Sequence, residues 1–226
     1  MAYRQSIYHS KLYRDFKEIA SHDHRQAIRF YEKYEEEIRR LDFDERFELL
    51  VAYVNALFEV GQYQKHLLMV DVVVEDSIMN NIGWYQGEDI YQKMLFRKAA
   101  SCYNIMEYSR ADYILRELVR IDPYNRDAIQ FLKKCLRKKD ASLLNTAKAC
   151  SIFLFLLSAL IIGVEVLAVR PFYGMYTSLV EASRNTIFLL GWAALLGGLA
   201  FNWWRAERRA EQFAQDERSK KGRHLP

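Results

Sequence analysis

"EYSRADYILRELVRIDPYN", Glu107–Asn125, decides how this chain is read. Tyr108, Ala111, Leu115 and Leu118 recur at intervals of three and four residues, the spacing of one face of an α-helix. Pro123 stops that helix, because it has no N–H to donate and its ring clashes with the preceding turn. Asn125 behind it opens the next helix. One helix, one stop and one new helix are therefore expected, over Ser109–Ile121 and Asn125–Lys139.

Working outward, residues 1–140 contain no other proline, and no stretch alternates with period two between hairpin turn pairs. An all-α fold is expected, with further helices over Tyr3–Ala20, His24–Arg40, Asp44–Val60, Tyr63–Ile78 and Glu88–Met106. The breaks have their own chemistry: Ser21 or Asp23 and Asp42 or Asp44 as N-caps, and Gly61 as a C-terminal stop. His22 and His24 stand two apart and do not share a helix face, so "HDH" reads as a cap and turn and no metal site is expected.

The last third changes character. "ACSIFLFLLSALIIGVEVLAV" (Ala149–Val169) and "TIFLLGWAALLGGLAFNWW" (Thr186–Trp204) are apolar over about the 20 residues needed to cross a bilayer. "LLMVDVVV" (Leu67–Val74) is too short to span and reads as a buried helix face. The N-terminus lacks an uninterrupted apolar run with a small-residue cleavage site, so no secretory signal is expected. "KKCLRKK" (Lys133–Lys139) precedes the first apolar run and "RAERR" (Arg205–Arg209) follows the second, whereas the connection between them carries Arg170 and Arg184 against Glu181. The positive-inside rule then predicts both termini in the cytoplasm, as in an inner cell membrane protein, with Trp203 and Trp204 at the inner edge and Phe172, Tyr173 and Tyr176 at the outer. The net charge of +4 is accounted for by these flanks, so anionic lipid headgroups are the expected partners and nucleic acid is not.

Three widely spaced cysteines, Cys102, Cys135 and Cys150, fit a reducing compartment with neither disulfides nor a zinc cluster. Gly-rich phosphate loops, GxSxG, HExxH and CxxC are all missing, which argues against an enzyme, a catalytic residue or a cofactor. Glu165 is the one carboxylate inside an apolar run, where a charge is costly. It is expected either to reach the outer headgroups or to pair with Arg170 or Arg184, a structural role weighed against a functional one.

The spacing of Tyr108, Ala111, Leu115, Leu118 and Pro123 resembles the second helix of a tetratricopeptide repeat. Leu95, Ala99 and Cys102 stand at that family's tryptophan, glycine and tyrosine positions. A worn copy resembles the same unit through Leu50, Tyr53, Val54, Leu57, Gly61 and Tyr63, with His66 in the place of alanine. Tyr63 and Tyr108 are 45 residues apart, the excess over a regular repeat lying in Glu75–Asp89. The resemblance implies a helical-repeat domain over 44–140, capped by the helix from Asn125, after N-terminal helices over 1–43. A transmembrane hairpin over 141–205 and a basic cytoplasmic tail over 206–226 follow. It also implies a concave groove for a protein or peptide partner, lined by Val51, Asn55 and Phe58 and by Lys93, Phe96, Arg97, Ala100 and Asn104. Asn55, Lys93 and Arg97 resemble part of a carboxylate clamp for an acidic peptide end.

An alternative is an oligomeric two-span channel or transporter subunit with a cytoplasmic helical regulatory domain. "YGMY" (Tyr173–Tyr176) shares two residues with the Gly-Met-Asn of a magnesium-channel family. Ala193 with Gly197 and Ala194 with Gly198 provide small faces for packing within the hairpin or between copies.

Overall fold

The computed structural model describes residues 10–20, 22–169, 171 and 174–223. The expected helix start at Tyr3, the Ser21 cap, Arg170 as a counter-ion and the belt residues Phe172 and Tyr173 lie outside them. Among the described residues the chain is all-α apart from one two-stranded hairpin. It forms two compact units that divide between Asp122 and Pro123.

The first unit contains α1 (Lys11–Lys17), α2 (His24–Lys33), α3 (Glu35–Ile38), α4 (Phe43–Glu59), α5 (Tyr63–Met79), α6 (Ile90–Asn104) and α7 (Tyr108–Ile121). Asp23 caps α2, its carboxylate accepting the Gln26 N–H at 3.0 Å. The single helix expected over His24–Arg40 breaks at Tyr34 (φ −111°), where Glu35, Glu36 and Glu37 open α3. Three carboxylates are favourable at a helix N-terminus. The core is centred on α4: Phe47, Leu49, Leu50, Val54 and Leu57 are at most 3% exposed, and the Tyr53 ring stacks on Tyr31 of α2 at 4.1 Å.

Two helix–turn–helix pairs, α4–α5 and α6–α7, have the same turn. Gly61 (φ +81°) ends α4 in the left-handed region, and the N–H groups of Gly61 and Gln62 donate to the carbonyls of Phe58 and Leu57 at 3.0 and 2.9 Å. Met106 (φ +67°) ends α6 in that way, with Met106 and Glu107 donating to Tyr103 and Cys102 at 3.1 and 2.9 Å. Both are Schellman caps. An aromatic pair spans each turn, Phe58 with Tyr63 at 5.9 Å and Tyr103 with Tyr108 at 5.3 Å, both edge to face. Behind the second turn Ala99, Cys102, Ala111 and Leu115 are fully buried. A small residue at Ala111 is what lets α6 and α7 approach.

The connection expected between the pairs contains a short hairpin. Asn81 (φ +55°) ends α5, and Trp84–Tyr85 (β1) pairs with Glu88–Asp89 (β2) about a turn with positive φ at Gln86 and Gly87. Two-residue strands are too short to show alternation, so Gln86-Gly87 was the only local signal. α6 consequently begins at Ile90, its first turn capped by Asp89.

The second unit contains α8 (Arg126–Lys139), α9 (Ser142–Val164), a π-helical turn (Glu165–Val169), a 3-10 turn (Gly174–Tyr176) and α10 (Thr177–Arg223). Asn125 caps α8 by accepting the Ala128 N–H at 3.0 Å. α9 and α10 are each long and apolar enough to cross a membrane. They pack closely at Gly198, where an added Cβ would lie 2.5 Å from the Ala147 Cβ, whereas Gly197 faces open space. α10 does not end at the apolar run but continues to Arg223, 47 residues and about 70 Å in all. The expected tail is thus helix, and α8 packs antiparallel along it. Ala206, Ala210 and Ala214, one turn apart, are at most 4% exposed in that extension. Lys133 pairs with Glu207 and Glu211, Arg137 with Glu207 and Arg209 with Asp140.

Met106 holds a left-handed backbone with its side chain 74% exposed, so glycine there removes strain without removing packing. Met106→Gly is expected to raise the unfolding free energy by about 1 kcal/mol, and Gly61→Met to lower it by a similar amount. Urea unfolding of the detergent-solubilised chain, followed by circular dichroism, measures both.

Candidate functional site

The repeat resemblance places the groove on α4 and α6, and there the side chains are engaged with one another. Arg97 donates through Nη1 to Asn55 Oδ1 at 2.9 Å and through Nη2 to Glu59 Oε1 at 3.1 Å, and its guanidinium lies 5.0 Å from the centre of the Phe58 ring. It joins the two first helices. Lys93, one turn earlier on α6, pairs with Glu88 of the hairpin. The residues expected to form a clamp are therefore engaged within the chain, Lys93 and Arg97 by carboxylates and Asn55 by Arg97. Phe96 and Ala100 are half-buried and Asn104 is exposed at the end of α6.

Val51, expected at the groove surface, is 2% exposed. It lines a cavity of about 100 Å³ together with Phe16, Lys17, Asn55 and Tyr85. Ligand pockets run to roughly 300 Å³ and more, so this space does not hold a peptide as it stands. Two elements that sequence reasoning did not bring here reduce it, α1 and the hairpin. Tyr85 sits edge-on to Phe47 at 5.9 Å. Glu48 accepts from both the Tyr13 hydroxyl and the Lys17 ammonium. Burial first, and then the nearby Glu48 carboxylate, push the Tyr13 and Tyr85 phenols above their ordinary range.

Beneath Arg97 lies a second pair that the sequence did not single out. His66 and Ser101 are both fully buried, and His66 Nδ1 shares a hydrogen bond with Ser101 Oγ at 2.9 Å. His66 Nε2 is buried without a hydrogen-bond partner, and the ring lies 5.4 Å from Phe58. The buried histidine is accommodated because serine, a small residue, faces it from α6. No substrate reaches either atom, so the pair is packing and not a nucleophile with its base. Burial, and then the charge of Arg97, lower the His66 pKa to about 4. Among the described residues no group of three or more His, Cys, Asp or Glu side chains could hold a metal ion.

In the second unit Glu165 is fully buried at the start of the π-helical turn, and Arg184 Nη1 donates to its Oε2 at 2.8 Å. Arg184, one of the two expected counter-ions, is thus paired with it, and Arg170 lies outside the described residues. The π turn places the carboxylate between α9 and α10 instead of on the outer face.

No protein-family model, curated protein or solved structure matches this chain.

His66 gives this region a pH dependence. A base whose folded pKa lies below its unfolded value of about 6.5 releases its proton on folding. Its contribution is complete above pH 6.5 and is lost as pH falls toward about 4. Over that window wild type should lose up to about 3 kcal/mol more than His66→Leu. Parallel urea titrations at pH 7 and pH 4.5 give the difference; equal losses in the two proteins would exclude His66 as the cause.

Proposed function

We propose that this protein is a membrane-anchored helical-repeat scaffold of tetratricopeptide-like type, which holds protein partners at the cytoplasmic face of a membrane. The observation that carries the anchor is the outward face of the two long helices. Phe153, Leu156 and Leu160 of α9 and Leu179 and Leu189 of α10 are 63–66% exposed, a stripe that water disfavours and lipid accepts. Cation–aromatic pairs mark one boundary of the stripe, Arg208 at 4.2 Å from the Trp204 ring and Arg137 at 5.5 Å from Trp203. Tryptophan and arginine side by side suit the headgroup region. The basic residues gather at this end, which supports an orientation with both termini inside.

The recognition half of the proposal is supported by the repeated turn. Helix pairs that repeat with one geometry stack side by side and expose their first helices as a shared surface. Tethering such a surface raises the local concentration of whatever it holds near other membrane proteins. The channel-subunit reading is favoured by one observation, the open space at Gly197, which leaves room for a second copy. Ion flux through liposomes containing the purified chain separates a pore from an anchor.

Topology is tested in a Cys150→Ser background, Cys102 and Cys135 being buried. Ser178→Cys should react with a membrane-impermeant thiol reagent on intact cells, and Ser219→Cys only after permeabilisation. The reverse pattern would overturn the orientation. Crosslinking in intact membranes should recover specific protein partners; recovery of the chain alone would remove the scaffold reading.

A further inference from the structure

The groove has an occupant, the chain's own first helix. Tyr13 and Phe16 of α1 share a helix face and are each 8% exposed, and the Phe16 ring meets Phe30 edge-on at 5.5 Å. Lys17 extends beside them to Glu48, which also receives the Tyr13 hydroxyl. The Ser10 N–H donates to Glu45 Oε1 at 2.9 Å. α4 thus offers two carboxylates one turn apart, and α1 answers them with a phenol, an ammonium and a backbone N–H. The cavity bordered by Phe16 and Lys17 reaches Val51 and Asn55, the surface expected to receive a partner.

Two considerations set the chemistry of an external ligand. The cations suited to an acidic peptide, Lys93 and Arg97, are paired with Glu88 and Glu59, while an acidic segment laid along α4 would face Glu45 and Glu48. Like charges opposed across an interface are strongly unfavourable. In addition, α1 has seven residues, shorter than a helix that is stable by itself, so its place depends on tertiary contacts such as those just described. Short peripheral elements of this kind open at lower free energy than the core they cover.

We propose that α1 is an internal occupant of the repeat groove, and that the external partner is an amphipathic helix of the same chemistry, with aromatic residues at positions i and i+3 and a lysine or arginine at i+4, which displaces it. This rests on the scaffold reading and names the partner class for it. The carboxylates of Glu45 and Glu48 select such a helix over an acidic one.

The probe is a fluorescein-labelled synthetic peptide of residues 8–20, titrated into the full chain in detergent. Binding to wild type should be weak, because α1 fills the groove, and at least about tenfold tighter to Phe16→Ala, whose own helix is loosened. Adding Glu48→Gln to that variant should reverse the gain, and a peptide with glutamate in place of Lys17 should bind least. Equal binding to wild type and Phe16→Ala, or preference for the acidic peptide, overturns the proposal. Should Phe16→Ala fail to fold, hydrogen exchange on wild type decides: excess unlabelled peptide should speed exchange of the α1 amides and leave those of α4 unchanged, whereas no change in α1 is contrary. Crosslinked partners without peptide binding would reject this occupant and keep the scaffold, and peptide binding without partners would do the opposite.

Discussion

Reversing a helix within two residues forces one backbone unit into the left-handed region, and the carbonyls it leaves behind must find new donors. The first unit meets this requirement twice in the same way. At Gly61 and again at Met106, the two N–H groups that follow the helix fold back onto its last turn. That closure directs α5 down the side of α4 and α7 down the side of α6, and brings α6 close enough to α4 for Arg97 to bridge them. Ala99, Cys102, Ala111 and Leu115 are buried behind the second of these turns, within the α6–α7 pair. Glycine accepts the conformation without cost and methionine does not, so the second turn is held by its surroundings.

What could be read in advance follows from the range of each interaction. Tyr108, Ala111, Leu115 and Leu118 announce α7 because a helix face is written within a few residues, and Asp23 and Asn125 announce helix starts because a cap acts over three. The hairpin at residues 84–89 was not legible as strand, since two residues per strand leave no period to detect. The extent of α10 beyond Trp204 was hidden for a different cause: its composition turns from apolar to charged without a helix breaker, and the eye stops where the helix does not.

The state of the candidate residues was not legible in the sequence. The repeat resemblance grouped Asn55, Lys93 and Arg97, and of these Arg97 donates to Asn55. That Arg97 is satisfied by Glu59, and Lys93 by Glu88, depends on residues 38 and 5 positions away whose side-chain directions no spacing rule supplies. His66 shows a local exception with a distant explanation. The oversized residue on α5 is matched by Ser101, 35 residues on, and the match becomes visible only when the two helices are paired.

The continuity of α10 also has a mechanical side. With no glycine hinge or proline between its apolar portion and the stretch that carries Ala206, Ala210 and Ala214, tilt at one end and displacement at the other are a single variable. The 19 residues after Trp204 measure about 28 Å, so a change of about 10° in tilt, well inside the range seen for spanning helices, carries the far end sideways by about 5 Å. α8, ion-paired along that stretch through Lys133 and Arg137, moves with it.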